Sequence, residues 1–398
     1  MLEFVNRSGS DCYKWDSEHA KGNLPLWVAD MDFKAAPAIR TAMQKRLDHG
    51  VFGYGIVPQA YYNAVISWFS RRHQWNGIKR EQLLCTIGVV PAIAAILRAI
   101  KDIHRAENKH LPLRVLTLTP AYNCFLSCIS NLECELVDCH LNAVSKQDPE
   151  ITTGKLEHFE VNWQDFEKKA AESDIFLLCN PHNPTGRVWT QQELSRMAQI
   201  CNSHSLFVVS DEIHCEFTFP GHCYTPFAKV ALNNNFCVCT SASKAFNIAG
   251  LQCANIFIPD IHVYAAVEHA VNIHEVCDLN PFGVVAAVAA YNESEDWINE
   301  LNDYVLGNYN YLRRFIAEQL PALSLSDMEG TYLAWLNIKA LNIPAEELCC
   351  KLSAEEQVLF NPSEMYGSEG YIRITLATSR DIVEQACGRL ARLIHKII

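Results

Sequence analysis

Positive charge is scarce in this chain. Across 398 residues there are 33 Lys and Arg against 45 Asp and Glu, a formal net charge of -12. Nucleic acid and anionic membrane surfaces select for basic patches, so neither is expected as a main partner. Long apolar runs are missing too. Ile87 to Ile100 is broken by Pro91 and Arg98, so no membrane span is expected. The opening Met1-Leu2-Glu3-Phe4-Val5-Asn6-Arg7 lacks the apolar core of a secretion signal. The glycosylation-like triplets at Asn6 and Asn292 therefore carry no weight. None of the 17 cysteines stands in a Cys-x-x-Cys pair, which removes a zinc site on spacing. They lie in apolar runs such as Cys237-Val238-Cys239, and are expected to be small buried hydrophobes in a reducing cytoplasm. No Gly-x-Gly-x-x-Gly or Walker loop occurs, so nucleotide binding is not indicated. Internal repeats and low-complexity linkers are absent as well.

The chain does have a balanced composition, 49% apolar and 20% charged, which suits a soluble globular enzyme. Its length exceeds one ordinary core and predicts two domains. Short apolar strands alternate with helices. Leu83 to Ile87 reads as a strand, turning through Gly88-Val89-Val90-Pro91 into a helix from Ala92 to Ile103. Arg114 to Leu118, Ile175 to Cys179, Leu206 to Val209 and Phe236 to Cys239 read as further strands. Such alternation predicts a mostly parallel sheet with helices on both faces. Thr190 with Glu193 makes a capping box for one of the helices. Pro37 opens another, with Ile39, Met43 and Leu47 on one face and a stop at His49-Gly50. A long helix from Asp296 to Leu320 suits a bridge between domains. The expected division is a large α/β unit over residues 48–290 and a smaller α/β unit formed by residues 1–47 and 291–398.

The chemistry is carried by Thr240-Ser241-Ala242-Ser243-Lys244-Ala245-Phe246-Asn247. A lysine directly after a buried strand meets a low-dielectric setting, which depresses its pKa and makes a nucleophilic amine able to form a Schiff base with an aldehyde. Ser241 and Ser243 can donate hydrogen bonds to a phosphate. Pyridoxal 5'-phosphate (PLP) is an aldehyde that also carries a phosphate. The turn Gly88-Val89-Val90-Pro91 into the helix that follows offers free backbone N–H groups, a second phosphate site. Tyr122, Asn183, Asp211 and Lys244 each lie just past the C-terminal end of a strand, where open α/β sheets bind ligands. Each alone has an ordinary structural use: Asn183 as a turn before Pro184, Asp211 as a helix cap, Tyr122 as a half-buried aromatic. Their convergence on one sheet edge favours a site.

Asn183-Pro184-Thr185-Gly186, Asp211-Glu212-Ile213-His214 and Ser241-Ala242-Ser243-Lys244 resemble the signature of fold-type I PLP enzymes, the aspartate aminotransferase superfamily. More narrowly, Val28-Ala29-Asp30-Met31-Asp32-Phe33, His49-Gly50-Val51-Phe52-Gly53-Tyr54 and Ser243 through Gly250 resemble the MalY/PatB-type cystathionine β-lyases, or cysteine C–S lyases. The resemblance implies that Lys244 carries PLP and transfers protons, that Asp211 pairs with the ring nitrogen, and that Tyr122 stacks on the ring. It implies that Asn183 bonds the phenolic oxygen, with His214 contacting the ring where aminotransferases often have tyrosine. Ser241, Ser243 and the backbone of Val89 and Val90 would hold the phosphate. Tyr54 would reach it from a second subunit, making a homodimer. Arg373 would clamp the substrate α-carboxylate, with Asn183 and Asp30 beside it. Gln252 stands where aminotransferases commonly carry an arginine for the phosphate.

The expected activity is β-elimination from L-cystathionine or a related cysteine S-conjugate, yielding thiol, pyruvate and ammonia. A cationic ring nitrogen, held by Asp211, is what acidifies Cα, and the tethered Lys244 amine is the base. The same residues serve transamination, so an aminotransferase is the alternative. A third possibility is a PLP-fold protein that acts mainly as a binding partner.

Overall fold

Along the strands Ile175–Cys179 and Phe236–Thr240 every residue is buried, and successive side chains enter different cores. Ile175, Leu177, Cys179, Val209, Cys237 and Cys239 pack with the helices Val89–Ala106 and Ile261–Val271. Phe176, Leu178, Val208 and Val238 pack on the other side, with the helices Gln59–His73, Gln191–Ser203 and Pro281–Glu293. This is the period-2 alternation of a sheet covered on both faces, which is why these strands read as unbroken apolar runs. The computed structural model describes residues 2–275 and 278–397.

The sheet has seven strands in the order Leu83–Thr86, Ala254–Phe257, Phe236–Thr240, Phe207–Asp211, Ile175–Cys179, Arg114–Thr119, Glu135–His140. Ala254–Phe257 runs antiparallel to both neighbours, and the other pairings are parallel. The register sets Asp211 opposite Cys179 on one side and Cys239 on the other. The parallel strands therefore end level, and their following loops share one edge.

A second sheet has six strands, ordered Asn361–Pro362, Tyr371–Thr375, Leu333–Asn337, Ser324–Ser326, Lys155–Glu160, Asn142–Gln147. The last two lie inside the 48–290 range expected for the large unit, yet Lys155–Glu160 pairs with Ser324–Ser326 and Asn142–Gln147 pairs with Lys155–Glu160 in turn. The sequence signal for this hairpin is weak because Asn142–Gln147 is exposed throughout and shows no apolar alternation. The N-terminal segment pairs with the C-terminal part. Leu24–Pro25 pairs in parallel with Val358–Leu359, and Thr375 N donates to Leu26 O at 2.9 Å.

The long helix Glu295–Gln319 runs from the turn after Phe207–Asp211 to the second sheet. Asn302 donates to Glu216 O at 2.7 Å, and further along Tyr309 donates to Ser326 O at 2.7 Å. The capping box forms as read: Glu193 N donates to Thr190 Oγ1 at 3.2 Å and Thr190 N to Glu193 Oε2 at 2.8 Å. Gly50 closes Pro37–His49 at φ 74°, with its N–H on Leu47 O. The apolar stripe of that helix is shorter than expected. Ile39 is buried, but Leu47 is 52% exposed. All described cysteines are free. Among the described residues no helix is long and apolar enough to cross a membrane.

Candidate active site

Four strand ends and one helix start enclose a cavity of about 200 Å³. Val89 and Val90 line it from the first turn of Val89–Ala106, where backbone N–H groups have no intrahelical acceptor. Tyr122 lines it after Arg114–Thr119, Asn183 after Ile175–Cys179, Asp211 and His214 at the end of Phe207–Asp211, and Lys244 after Phe236–Thr240. Ala29 completes the wall from the N-terminal segment.

Lys244 is half-buried, and desolvation lowers its pKa, opposed by the nearby Asp30 carboxylate. Its ammonium donates to Ala29 O at 2.6 Å. Asp211 is buried, and its pKa is pushed up to about 7 by desolvation. Its Oδ1 accepts from Ile213 N at 3.1 Å. Among the described residues no cationic side chain forms an ion pair with it. His214 is held neutral, its pKa lowered to about 3 by burial and by the Lys244 and Arg373 charges. Its Nδ1 is buried without a partner among the described residues. Burial raises the Tyr122 phenol well above its ordinary value.

Arg373 does not line the cavity but stands one contact behind it. It lies mid-strand in Tyr371–Thr375, opposite Trp335 and Asn361. Its Nη1 donates to Asn183 Oδ1 at 3.2 Å and its Nη2 to Trp27 O at 2.8 Å. The guanidinium sits 4.9 Å from the Tyr366 ring centroid, and its buried Nε has no partner among the described residues. Asp30 is committed elsewhere: its carboxylate pairs with Arg7 at 2.7 Å. Ser241 is committed too, as it caps Ala242–Ala245, accepting from Ser243 N at 3.0 Å and donating to Cys253 O at 2.7 Å. Tyr54 does not line the cavity of its own chain and is fully exposed.

Several site residues are not legible from strand-end positions. The carbonyls of Trp27, Val28 and Ala29 accept from Arg373, Thr375 and Lys244 in turn. Tyr332 also donates to Ala29 O, at 3.0 Å. The alternation of apolar and acidic residues in Leu26 to Phe33 marks that segment, but nothing in the sequence singles out Tyr332 or Tyr366.

Residues 23–390 match the family described as aminotransferase class I and II. Cystathionine beta-lyase PatB of Bacillus subtilis (strain 168) is 32% identical over 396 residues, covering 96% of this chain and 97% of its own. Protein MalY of Escherichia coli (strain K12) is 30% identical, over 100% of both chains. The PLP-bound C–S lyase from Staphylococcus hominis has a TM-score of 0.86 at 28% identity, over 98% of this chain and 97% of that one. On fold, cavity and kinship together, the chain belongs to the class I and II aminotransferase family, with fold-type I architecture.

Proposed function

We propose that this protein is a PLP-dependent carbon–sulfur β-lyase that cleaves L-cystathionine or a related cysteine S-conjugate to a thiol, pyruvate and ammonia. One observation carries the reading. A single cavity holds an amine of lowered pKa and a buried carboxylate that makes no direct ion pair with any described side chain. A ligand with both an aldehyde and a basic ring nitrogen answers both demands. The remaining groups of the cavity fit PLP as well: the helix-start N–H groups at Val89 and Val90, and a His214 Nδ1 with no partner among the described residues. When bound, PLP supplies the aldehyde and a cationic ring that draws the electron pair from Cα.

The chain's own residues do the rest. Asp211, costly to ionise alone in its buried position, holds its charge against a ring cation. Lys244 anchors the cofactor and, once freed, takes the Cα proton onto Nζ. Arg373 offers a planar clamp for the α-carboxylate, oriented by Trp27 O, Asn183 and the Tyr366 face. Tyr122 would cover the ring, with neutral His214 on the same cavity wall. Kinship with PatB and with the S. hominis lyase supports elimination of thiolate from Cβ. Transamination is the alternative, since the same groups serve it.

The functional unit in this reading is a homodimer with a shared site. Exposed Leu47, Val51, Phe52, Tyr54 and Ile56 support it, because so contiguous an apolar stretch favours burial against a second copy. Many free thiols support a cytoplasmic setting. The deciding experiment is a panel of cysteine S-conjugates scored for pyruvate, ammonia and free thiol, with and without a keto acid. Pyruvate from cystathionine without keto acid is expected. Turnover only with keto acid would establish the aminotransferase instead.

A further inference from the structure

We infer that Tyr332 is a positioning residue for proton transfer, acting on Lys244 through the carbonyl of Ala29. The inference rests on Lys244 being the amine that works at Cα. Ala29 O accepts two hydrogen bonds, from Lys244 Nζ at 2.6 Å and from Tyr332 OH at 3.0 Å. A carbonyl has two lone pairs, and both are used. The Lys244 contact is short and charge-assisted.

Tyr332 is placed with little freedom. It is fully buried, with its ring edge-on to Phe217 at 4.8 Å and to His214 at 5.7 Å. Its backbone carbonyl accepts from Leu376 N at 2.8 Å. The loop before it has a tight fit. A side chain at Gly330 would put Cβ 2.4 Å from Phe217 O, and Thr331 sits at φ 68°, a costly conformation for a β-branched residue. Thr331 is held there by its N–H on Phe217 O at 3.1 Å and by its hydroxyl accepting from Leu333 N at 3.2 Å. The phenol is thus fixed by the second sheet, while Ala29 lies on the N-terminal segment.

When the Cα–H bond breaks, the proton moves to Nζ, an N–H bond forms, and the electron pair stays with the substrate. An ammonium then stands in a site that already disfavours charge. Ala29 O is its acceptor, and Tyr332 keeps that carbonyl aimed at Nζ. Without the phenol the carbonyl can turn away. The ammonium loses its acceptor, and Lys244 becomes a weaker base.

The test is Tyr332→Phe in the PLP-loaded holoenzyme, with α-proton exchange of L-alanine in deuterated buffer followed by NMR. Exchange needs the lysine base but neither elimination nor transamination, so it separates this inference from the proposed reaction. The variant is expected to keep its PLP absorbance and its half-saturation for L-alanine within twofold. Exchange should slow about tenfold, the rate equivalent of one hydrogen bond. Its acid limb should move to lower pH, because an unsupported ammonium gives up its proton more readily. A second enzyme with 3,5-difluorotyrosine at position 332 keeps the hydroxyl and should exchange within twofold of wild type. The inference is overturned by an unchanged rate and limb in Tyr332→Phe, by a loss that merely tracks lost cofactor, or by equal loss in the fluorinated enzyme.

Discussion

Arg373 and Asn183 are joined across the two sheets by a 3.2 Å hydrogen bond from guanidinium to side-chain carbonyl. Asn183 belongs to the loop after Ile175–Cys179, while Arg373 lies within Tyr371–Thr375. The expected carboxylate clamp is thus aimed by a residue of the cofactor cavity, and the two sheets must be correctly docked for it to work. Removing the clamp is expected to leave the cavity chemistry intact. Arg373→Ala should raise KM for cystathionine by about 30- to 150-fold, a loss of about 2–3 kcal/mol for a charge-assisted pair. PLP absorbance should change little. Arg373→Lys should recover only part of the loss, since a point charge lacks the planar fork. Unchanged kinetics in the alanine variant would rule out the clamp.

Lys244 is expected to be the covalent anchor. The purified protein should be yellow, and borohydride should fix a phosphopyridoxyl mass on the tryptic peptide that contains Lys244. Mass spectrometry of Lys244→Ala treated in the same way should find no fixed label. A label on any other lysine would refute the assignment.

Asp211 links the cavity to stability. Its pKa in the folded chain is pushed up to about 7 from an ordinary 3.8. A folded-state pKa above the unfolded value means that the folded chain binds more protons, so stability falls as pH rises from about 4 to about 7. About three pKa units correspond to an upper bound of about 4 kcal/mol. Cofactor-free Asp211→Asn should therefore melt higher than wild type at pH 8, and the two should converge at acid pH. With PLP bound the order reverses in function: the variant should lose most of its kcat, because the ring nitrogen has no anion to keep it charged. Equal melting of both cofactor-free proteins at pH 8 would remove the unpaired carboxylate from the account.

Tyr54 tests the second copy. The wild type should sediment as a dimer, and Tyr54→Phe should release PLP faster on dialysis, while the dimer persists. A fully active monomer contradicts the shared site.

Much of the site was legible because strand-end chemistry follows from local pattern. Buried strands show as apolar runs, their ends are marked by turn residues, and parallel pairing brings those ends to one edge. Val89, Val90, Tyr122, Asn183, Asp211, His214 and Lys244 meet in the cavity for that reason. The reading was weaker where signals were exposed or long-range. Asn142–Gln147 is an exposed strand without alternation, and only its partner Lys155–Glu160 ties it to the second sheet. Ser241 and Asp30 have the right side chains, yet Cys253 O and Arg7 take up their bonds.

The sequence by itself determined the alternation of strand and helix, the lysine after a buried strand, and the acid at the end of the strand before it. These depend on spacing along one chain and on the cost of burying charge. Only the tertiary structure decided that Ala29, Lys244 and Tyr332 share one carbonyl, because contacts between residues 215 and 303 positions apart have no local signal. They exist once two sheets and the N-terminal segment have packed, and desolvation then makes each bond count.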